Sequence, residues 1–321
     1  MLQENMLPVT VTAIHKEALK VKRFELASLD GRPLPPYSGG SHIGIFIETE
    51  KGAIHRHYSL TGHTRKRGHY EIAVALNEDS NGGSAFMHHG VIEGDMLYIS
   101  YPKNHFPLSF KAKRHVFYAA GIGITPFLSM MEELKGKNVP FVLHYTAKTK
   151  DTCAFYSFLK KTYPEQCRFY FSREPLGERL TTDTLAQHPI GTHVYFCGPD
   201  SFITEFTDAA AQLGYPSSNI HVERFAPLKS NVQNAFHVKL TNGTILQVAE
   251  NQTLLDALHE NGINTPYSCR AGRCGTCEIK VKKGEVDHCD SFLTEEEKGT
   301  NDTILACVSR AKSRELVLEI E

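Results

Sequence analysis

The sequence predicts a multidomain chain: an antiparallel β-barrel, then a parallel-sheet α/β domain, then a small module built on a hairpin and a helix. Three observations carry that expectation. Residues 1–108 hold short runs of β-formers broken by Gly, Pro and Asn, and residues 109–226 alternate strand-like with helix-like segments. Residues 235–321 follow a polar stretch, 227–234, and contain a tight cysteine pattern. A length of 321 residues suits two or three domains, since a domain usually runs about 100–150 residues.

In the first domain, residues 8–14, 42–48, 70–75 and 96–101 alternate or cluster β-formers, as a small antiparallel barrel requires. Pro33, Pro35 and Pro36, followed by Gly39 and Gly40, punctuate one long connection. In the second, a strand at 114–120 ends in Gly121-Ile122-Gly123-Ile124-Thr125-Pro126, and 127–134 has helical spacing. A strand at 139–145, a helix at 153–162 and a strand at 168–171 follow. A further strand, 193–196, runs into Cys197-Gly198-Pro199, and a helix covers 201–213. In the third module, 236–240 and 244–248 flank the turn pair Asn242-Gly243, and a helix is expected at 253–261.

Composition excludes several classes. A net charge of −1 leaves no basic field for nucleic acid, so none is expected as a partner. No segment approaches the roughly 18 apolar residues of a membrane span, so no membrane role is expected. Residues 1–8 lack the basic start and apolar core of a secretory signal. A reducing cytoplasm is therefore the expected location, with Cys153, Cys167, Cys197 and Cys289 as thiols.

The remaining cysteines are placed differently. Cys269-x4-Cys274-x2-Cys277, then 29 residues to Cys307, is the plant-type spacing of 2Fe–2S ligands, which implies a β-grasp ferredoxin module. Four thiolates must converge on two irons, so three come from one tight loop and the fourth from a distant strand end. Gly272 and Gly275 permit the positive φ with which that loop curls round the inorganic sulfides. A structural zinc site is the alternative, but zinc ligands usually come as two short pairs, and here the fourth cysteine has no neighbour.

Gly121–Pro126 follows a strand and opens a helix, where backbone N–H groups favour a pyrophosphate; it is not the full G-x-G-x-x-G, and a plain tight turn remains open. Cys197-Gly198-Pro199 after a second strand supports a ligand crevice at strand ends. In the barrel, Arg56-His57-Tyr58-Ser59-Leu60 places Arg56 and Tyr58 on one strand face, suited to a phosphate and a flat ring. Gly82-Gly83-Ser84, just before a helix, offers a second phosphate turn. Taken singly, each motif is more often structural than functional.

Together, in this order, these motifs and the C-terminal cluster resemble the phthalate dioxygenase reductase and vanillate O-demethylase reductase family. Gly39–His42, Gly121–Ser129 and Gly191–Tyr195 point within it to the carnitine monooxygenase reductase subunits. The resemblance covers nearly the whole chain. It implies an NAD(P)H-dependent iron–sulfur flavoprotein oxidoreductase, monomeric, that passes electrons through FMN and a 2Fe–2S cluster to a Rieske-type oxygenase. Carnitine is the substrate it points to, with vanillate or another aromatic acid as the alternative. It also implies FMN contacts at Arg56, Tyr58, Ser59, Ala73, Val74, Gly82, Gly83 and Ser84, with Phe225 covering the ring. Gly121, Gly123 and Thr125 would face the pyridine nucleotide, with Cys197 at its nicotinamide end. Two departures stand out. The nearest basic residue after the second strand of this domain is Lys148, where many relatives have an arginine. After the third strand, Ser172-Arg173 replaces an acidic residue, which suits a 2′-phosphate, so NADPH use is expected beside NADH. Arg270 and Arg273 are expected to project from the cysteine loop towards an acidic patch on the oxygenase, solvated or cluster-tuning charges being the alternative.

The implied transfer is downhill. Plant-type clusters sit near about −400 mV and Rieske centres at roughly −150 to +300 mV. No general acid, base or nucleophile is required, so no catalytic side chain is nominated. The competing class is a stand-alone ferredoxin-like carrier whose upstream domains serve regulation.

Overall fold

A computed structural model describes residues 6–49, 52–62, 68–77, 82–175, 177–225, 234–268 and 270–320. Cys269 and most of the expected linker lie outside those residues. The chain divides into two compact units, Met1–Glu223 and Arg224–Glu321.

The first unit begins with β1 (Met6–Ala18), β2 (Val21–Ser28), β3 (His42–Thr49), β4 (Gly52–Ser59), β5 (His69–Ala75), α1 (Gly83–His89) and β6 (Met96–Ser100). The strands pair antiparallel in the order β4-β3-β6-β1-β2-β5. Leu60, one residue past β4, bridges Ile72 of β5 and so joins the two outer strands into a barrel. Val9, Val11, Phe24, Leu26, Ile45 and Ile99 fill its interior, as period-two alternation requires.

The second half of this unit contains β7 (Arg114–Ala120), α2 (Thr125–Gly136), β8 (Phe141–Ala147), α3 (Tyr156–Thr162) and β9 (Cys167–Phe171). It ends with β10 (Thr192–Cys197), α4 (Asp200–Gln212) and β11 (Ile220–Glu223). The parallel order is β11-β10-β7-β8-β9. The chain starts in mid-sheet, runs out to β9, then returns to the other side of β7. That reversal opens a crevice between the ends of β7 and β10.

Helix α2 buries Phe127, Leu128, Ser129, Met130, Met131 and Leu134, nearly its full circumference. One apolar cluster joins Ala18, Val21, Ala73 and Phe106 of the barrel side to Phe117, Phe127, Met130 and Tyr145 of the sheet side. A fully buried Phe or Met contributes about 1.5–3 kcal/mol, so this shared core fixes the barrel against the sheet. Two expectations shift. The helix expected at 153–162 starts only at Tyr156, because Phe155 takes a left-handed φ of 61° after a turn at Lys150–Thr152 capped by Thr149 and Thr152. β2 and β11 are strands that the motif spacing does not single out.

The second unit comprises β12 (Phe236–Leu240), β13 (Ile245–Val248), α5 (Leu254–Glu260), β14 (Glu278–Lys283) and β15 (Val286–Asp287). α6 (Glu295–Thr300), β16 (Thr303–Leu305), β17 (Arg310–Ala311) and β18 (Glu315–Glu319) complete it. Its mixed sheet runs β13-β12-β18-β14-β16, with β12 parallel to β18, and α5 packs on it through Leu254, Leu255 and Leu258. This is the expected β-grasp. Thr253 caps α5 by accepting the Asp256 N–H at 3.1 Å. Arg310, 8% exposed, donates to the carbonyls of Gln252 (2.7 Å), Ala249 (3.0 Å) and Asn234 (3.1 Å), and its guanidinium lies 5.3 Å from the centre of the Phe236 ring. Among the described residues no helix is long and apolar enough to cross a membrane.

The parallel sheet also buries imidazoles. His193 Nδ1 lies 2.9 Å from His221 Nε2, and His221 stacks on Tyr195 at 4.3 Å. On the other face Tyr118 OH meets His188 Nε2 at 2.8 Å and Tyr170 OH meets His144 Nδ1 at 2.9 Å. Burial lowers His115, His144, His188 and His221 to about 4, against roughly 6.5 in an unfolded chain. The unfolded chain therefore takes up protons first. The stability from keeping these rings neutral is complete above pH 6.5 and is lost as pH falls towards 4. The first unit should lose roughly 1 kcal/mol per pH unit for each of His115 and His144 across that window, read as a falling urea midpoint. A flat midpoint from pH 7 to 5 would contradict it.

Candidate functional site

In the barrel, β4 pairs Arg56 with Ile45 and Tyr58 with Ile43, placing both on one face. Arg56 Nη1 donates to its neighbour's carbonyl, His55 O, at 2.9 Å. Gly83 presses against the arginine stem: a Cβ there would lie 2.7 Å from Arg56 Cγ and Nε, so a side chain would displace the guanidinium. Gly82, at φ 82°, turns the chain into α1. His88 Nε2 donates to Val74 O at 2.8 Å, and Lys22 Nζ donates to His88 O at 2.7 Å, which hangs α1 on β5. Arg56, the Gly82–Gly83–Ser84 turn and the Ala73–Val74 segment are thereby brought to one end of the barrel. Ser84 Oγ lies 3.1 Å from both the N and the O of Asn77. Val74 is 1% exposed and points into the barrel core, and Ala73 into the shared core, so these two can border a ligand through backbone only. Ser59 is buried, and burial pushes the Tyr58 hydroxyl up to about 12. A guanidinium seated in a glycine turn at a helix start fits a phosphate-bearing ligand.

At the second crevice, Gly121–Ile124 form a tight turn before α2. Gly121 has φ 57°, and a Cβ on Gly123 would stand 2.1 Å from Cys197 O. A Cβ on Gly198 would meet Ala120 Cβ at 2.8 Å, so the two glycine turns interlock where the sheet reverses. Thr125 is buried and donates to Ile122 O at 3.0 Å, and the Cys197 side chain is fully buried. The N–H groups of Ser172 and Arg173 donate to Ala147 O (3.1 Å) and Lys148 O (2.9 Å). That places the exposed Arg173 and Lys148 on adjoining turns, while Glu174 faces away to accept the Lys150 N–H at 2.9 Å. Phe225 is 43% exposed, two residues beyond β11. Glu223 was not legible in the motifs. It is a carboxylate only 2% exposed, paired in register with Cys197 at the end of β11. No local signal marks it, since β11 spans only the four residues Ile220–Glu223.

In the second unit, Gly272 (φ 66°) and Gly275 (φ 72°) take the expected left-handed conformation. Cys277 hydrogen-bonds the Cys307 thiol, which holds the Cys277 thiol below its usual range, and Cys274 is close enough to act on it electrostatically. Among the described residues no three His, Cys, Asp or Glu side chains close on a single metal position. A 2Fe–2S cluster does not ask for that, since its four cysteines are shared between two irons. Ser291 N donates to Gly272 O at 2.9 Å, and a Cβ on Gly275 would lie 2.3 Å from Phe292 Cζ, so Phe292, itself 45% exposed, lies on the loop. The expectation for Arg270 needs correction. It does not project: Nη1 pairs with Asp256 at 2.8 Å and the guanidinium covers Tyr267 at 4.5 Å, so it ties the loop back to α5. Arg273 is half-buried. Cys289 is a buried residue outside the cysteine motif, its Sγ 3.8 Å from Asp287.

A barrel with an arginine–glycine cradle, a switch-point crevice and a β-grasp cysteine loop define an oxidoreductase of the iron–sulfur flavoprotein class. Comparison with known proteins agrees with that class. Residues 238–312 match the 2Fe-2S iron-sulfur cluster binding domain, and residues 102–220 the N-terminal domain of the dimethylamine monooxygenase subunit DmmA-like proteins. The chain is 38% identical to the carnitine monooxygenase reductase subunit of Escherichia coli K12, covering 98% of each. It is 37% identical to the vanillate O-demethylase oxidoreductase of Acinetobacter baylyi ADP1, over 98% of this chain and 99% of that one. The solved structure of phthalate dioxygenase reductase superposes with a TM-score of 0.80 at 31% identity, covering 99% of both chains. The chain belongs to the phthalate dioxygenase reductase family.

Three substitutions check the geometry. Gly123→Ala drives a methyl into the Cys197 backbone and should cost about 1–3 kcal/mol in urea unfolding of the first unit; an unchanged midpoint would show that the turns do not interlock. Cys307→Ser should abolish the visible iron–sulfur absorbance, whereas Cys289→Ser should leave it.

Proposed function

We propose that this chain is the reductase component of a two-component Rieske oxygenase system, acting as a monomer in the cytoplasm. It takes hydride from NAD(P)H, holds FMN in the barrel, and delivers single electrons through its 2Fe–2S module to the oxygenase. The observation that carries the reading is the arginine–glycine cradle and the switch-point crevice within one rigidly packed unit, in a chain that also holds a ferredoxin fold. When bound, FMN supplies the conversion from a two-electron donor to a one-electron acceptor. Arg56 and the Gly82–Ser84 turn would hold its phosphate, and Tyr58 and Ser59 would border the ring. Gly121, Gly123 and Thr125 would seat the nucleotide's phosphates, with the Cys197 backbone and Glu223 at the nicotinamide end, Phe225 being the candidate cover for the flavin. Cys269, Cys274, Cys277 and Cys307 would ligate the cluster. The half-exposed Phe292 on the cysteine loop makes that loop the docking face, in place of the Arg270 now accounted for within the module.

Carnitine as the oxygenase's substrate is supported by the Escherichia coli relative, and vanillate by the Acinetobacter one at nearly the same identity. Adding each oxygenase in turn and following which substrate drives nucleotide consumption separates them. For the donor, Arg173 beside Lys148 supports NADPH as well as NADH. Removing a hydrogen bond to a charged group costs about 1.5–3 kcal/mol, so Arg173→Ala should raise the KM for NADPH about tenfold or more and leave that for NADH unchanged. Equal effects on both donors would refute the 2′-phosphate assignment. Purified protein that takes up no flavin would sink the whole reading in favour of a ferredoxin-like carrier.

A further inference from the structure

The Gly39–Gly40 turn of the long barrel connection is unexplained by any ligand contact, yet it is among the most tightly held points of the first unit. Gly39 N donates to Glu133 Oε2 at 2.7 Å, and Gly40 N donates to Ser129 Oγ at 3.2 Å. Ser129 is fully buried, and its hydroxyl donates to Pro126 O at 3.2 Å, in the first turn of α2 directly after the nucleotide turn. A Cβ on Gly39 would lie 2.7 Å from Met130 Cα, so the turn rests directly on the helix backbone. Gly40 has φ 88°, and a Cβ there would also strike Phe106 O. From the barrel side Asn104 Nδ2 donates to Gly39 O at 2.9 Å. The next residue, Ser41, accepts the N–H of Leu60 at 2.8 Å, immediately beyond the Arg56–Ser59 segment. A continuous path of covalent and hydrogen bonds thus runs from the barrel's ligand strand, through this turn and Ser129, to the turn at the start of α2.

We infer that Ser129 and Glu133 are positioning residues: by gripping the Gly39–Gly40 turn they set the distance and register between the barrel's ligand strand and the nucleotide turn. The inference rests on the function proposed above. Hydride transfer requires donor and acceptor in near-contact, and a misplacement of about 1 Å can cost about a hundredfold in rate. A grip on backbone N–H groups at the seam therefore acts on the rate of transfer rather than on either binding step. Glu133 also pairs with Lys137 at 2.6 Å, an exposed lysine just past the end of that helix, and that contact is not part of the path.

The test compares Ser129→Ala, Glu133→Ala and Glu133→Gln in the full chain. Hydrogen exchange of the peptide spanning residues 38–42 is read without cofactor, and flavin reduction by NAD(P)H is followed in a single turnover with FMN bound. Both alanine variants should exchange faster at the turn and lower the limiting reduction rate about tenfold, with flavin content and the nucleotide dissociation constant unchanged. Glu133→Gln keeps a carbonyl acceptor for Gly39 N and should retain the rate. A wild-type limiting rate in both alanine variants overturns the inference. So does a slower rate that appears only together with lost flavin or a lower melting temperature, because that is a merely structural role. Failure of the wild-type chain to bind flavin would instead defeat the functional reading, and the exchange measurement distinguishes the two.

Discussion

Helix α2 is buried round nearly its full circumference, and the architecture of the first unit depends on that. One side lies on the parallel sheet through Phe127 and Met131, the other supports the barrel through Met130 and Ser129. Its first turn forms one wall of the nucleotide crevice, so a single rigid rod carries both the site and the joint. Interior packing is as dense as an organic crystal, so such a rod transmits displacement instead of absorbing it. The glycines around it mark where backbone meets backbone: Gly39 on Met130 and Gly123 on Cys197. At both places the absent side chain is the structural requirement, independent of any ligand.

Charge is distributed to match. The interior of the parallel sheet holds neutral imidazoles and tyrosines, and burial raises Tyr118 and Tyr195 well above the usual phenol range. Charged groups stand at the rims, where Lys148 and Arg173 flank one end of the sheet. In the barrel wall Arg23 is held by Glu17 at 2.7 Å and by Glu25 and Glu71 at 2.9 Å, so its charge is already answered and it is poorly placed to recruit an anion. Arg56, by contrast, stands against the glycine turn at the start of α1.

Much of this was legible in the residues, for identifiable reasons. The cysteine spacing, the Asn242-Gly243 hairpin and the strand–Gly121–helix order are local signals, set by turn chemistry and periodicity. β11 was not legible, because four residues between loops show too little alternation, and Glu223 was hidden with it. The start of α3 was placed too early because Phe155 takes a left-handed φ that no propensity assigns to phenylalanine. Arg270 reads as a projecting docking charge because its partner, Asp256, lies fourteen residues away on α5, a tertiary pairing that spacing does not encode. The family resemblance implies a flavin contact at Val74, whereas the barrel's alternation turns its side chain inward.

Arg310 has a mechanical consequence. Its guanidinium binds the carbonyl of Asn234, the first described residue after the connecting segment, together with those of Ala249 and Gln252. The start of the second unit is therefore fixed by this clasp beside the β12–β18 pairing. The cysteine loop hangs from α5 by the separate Arg270–Asp256 tether. The two ends of the module are thus moored by separate guanidiniums, Arg310 on backbone carbonyls at its start and Arg270 on a carboxylate at the cysteine loop, so that loosening one leaves the other in place.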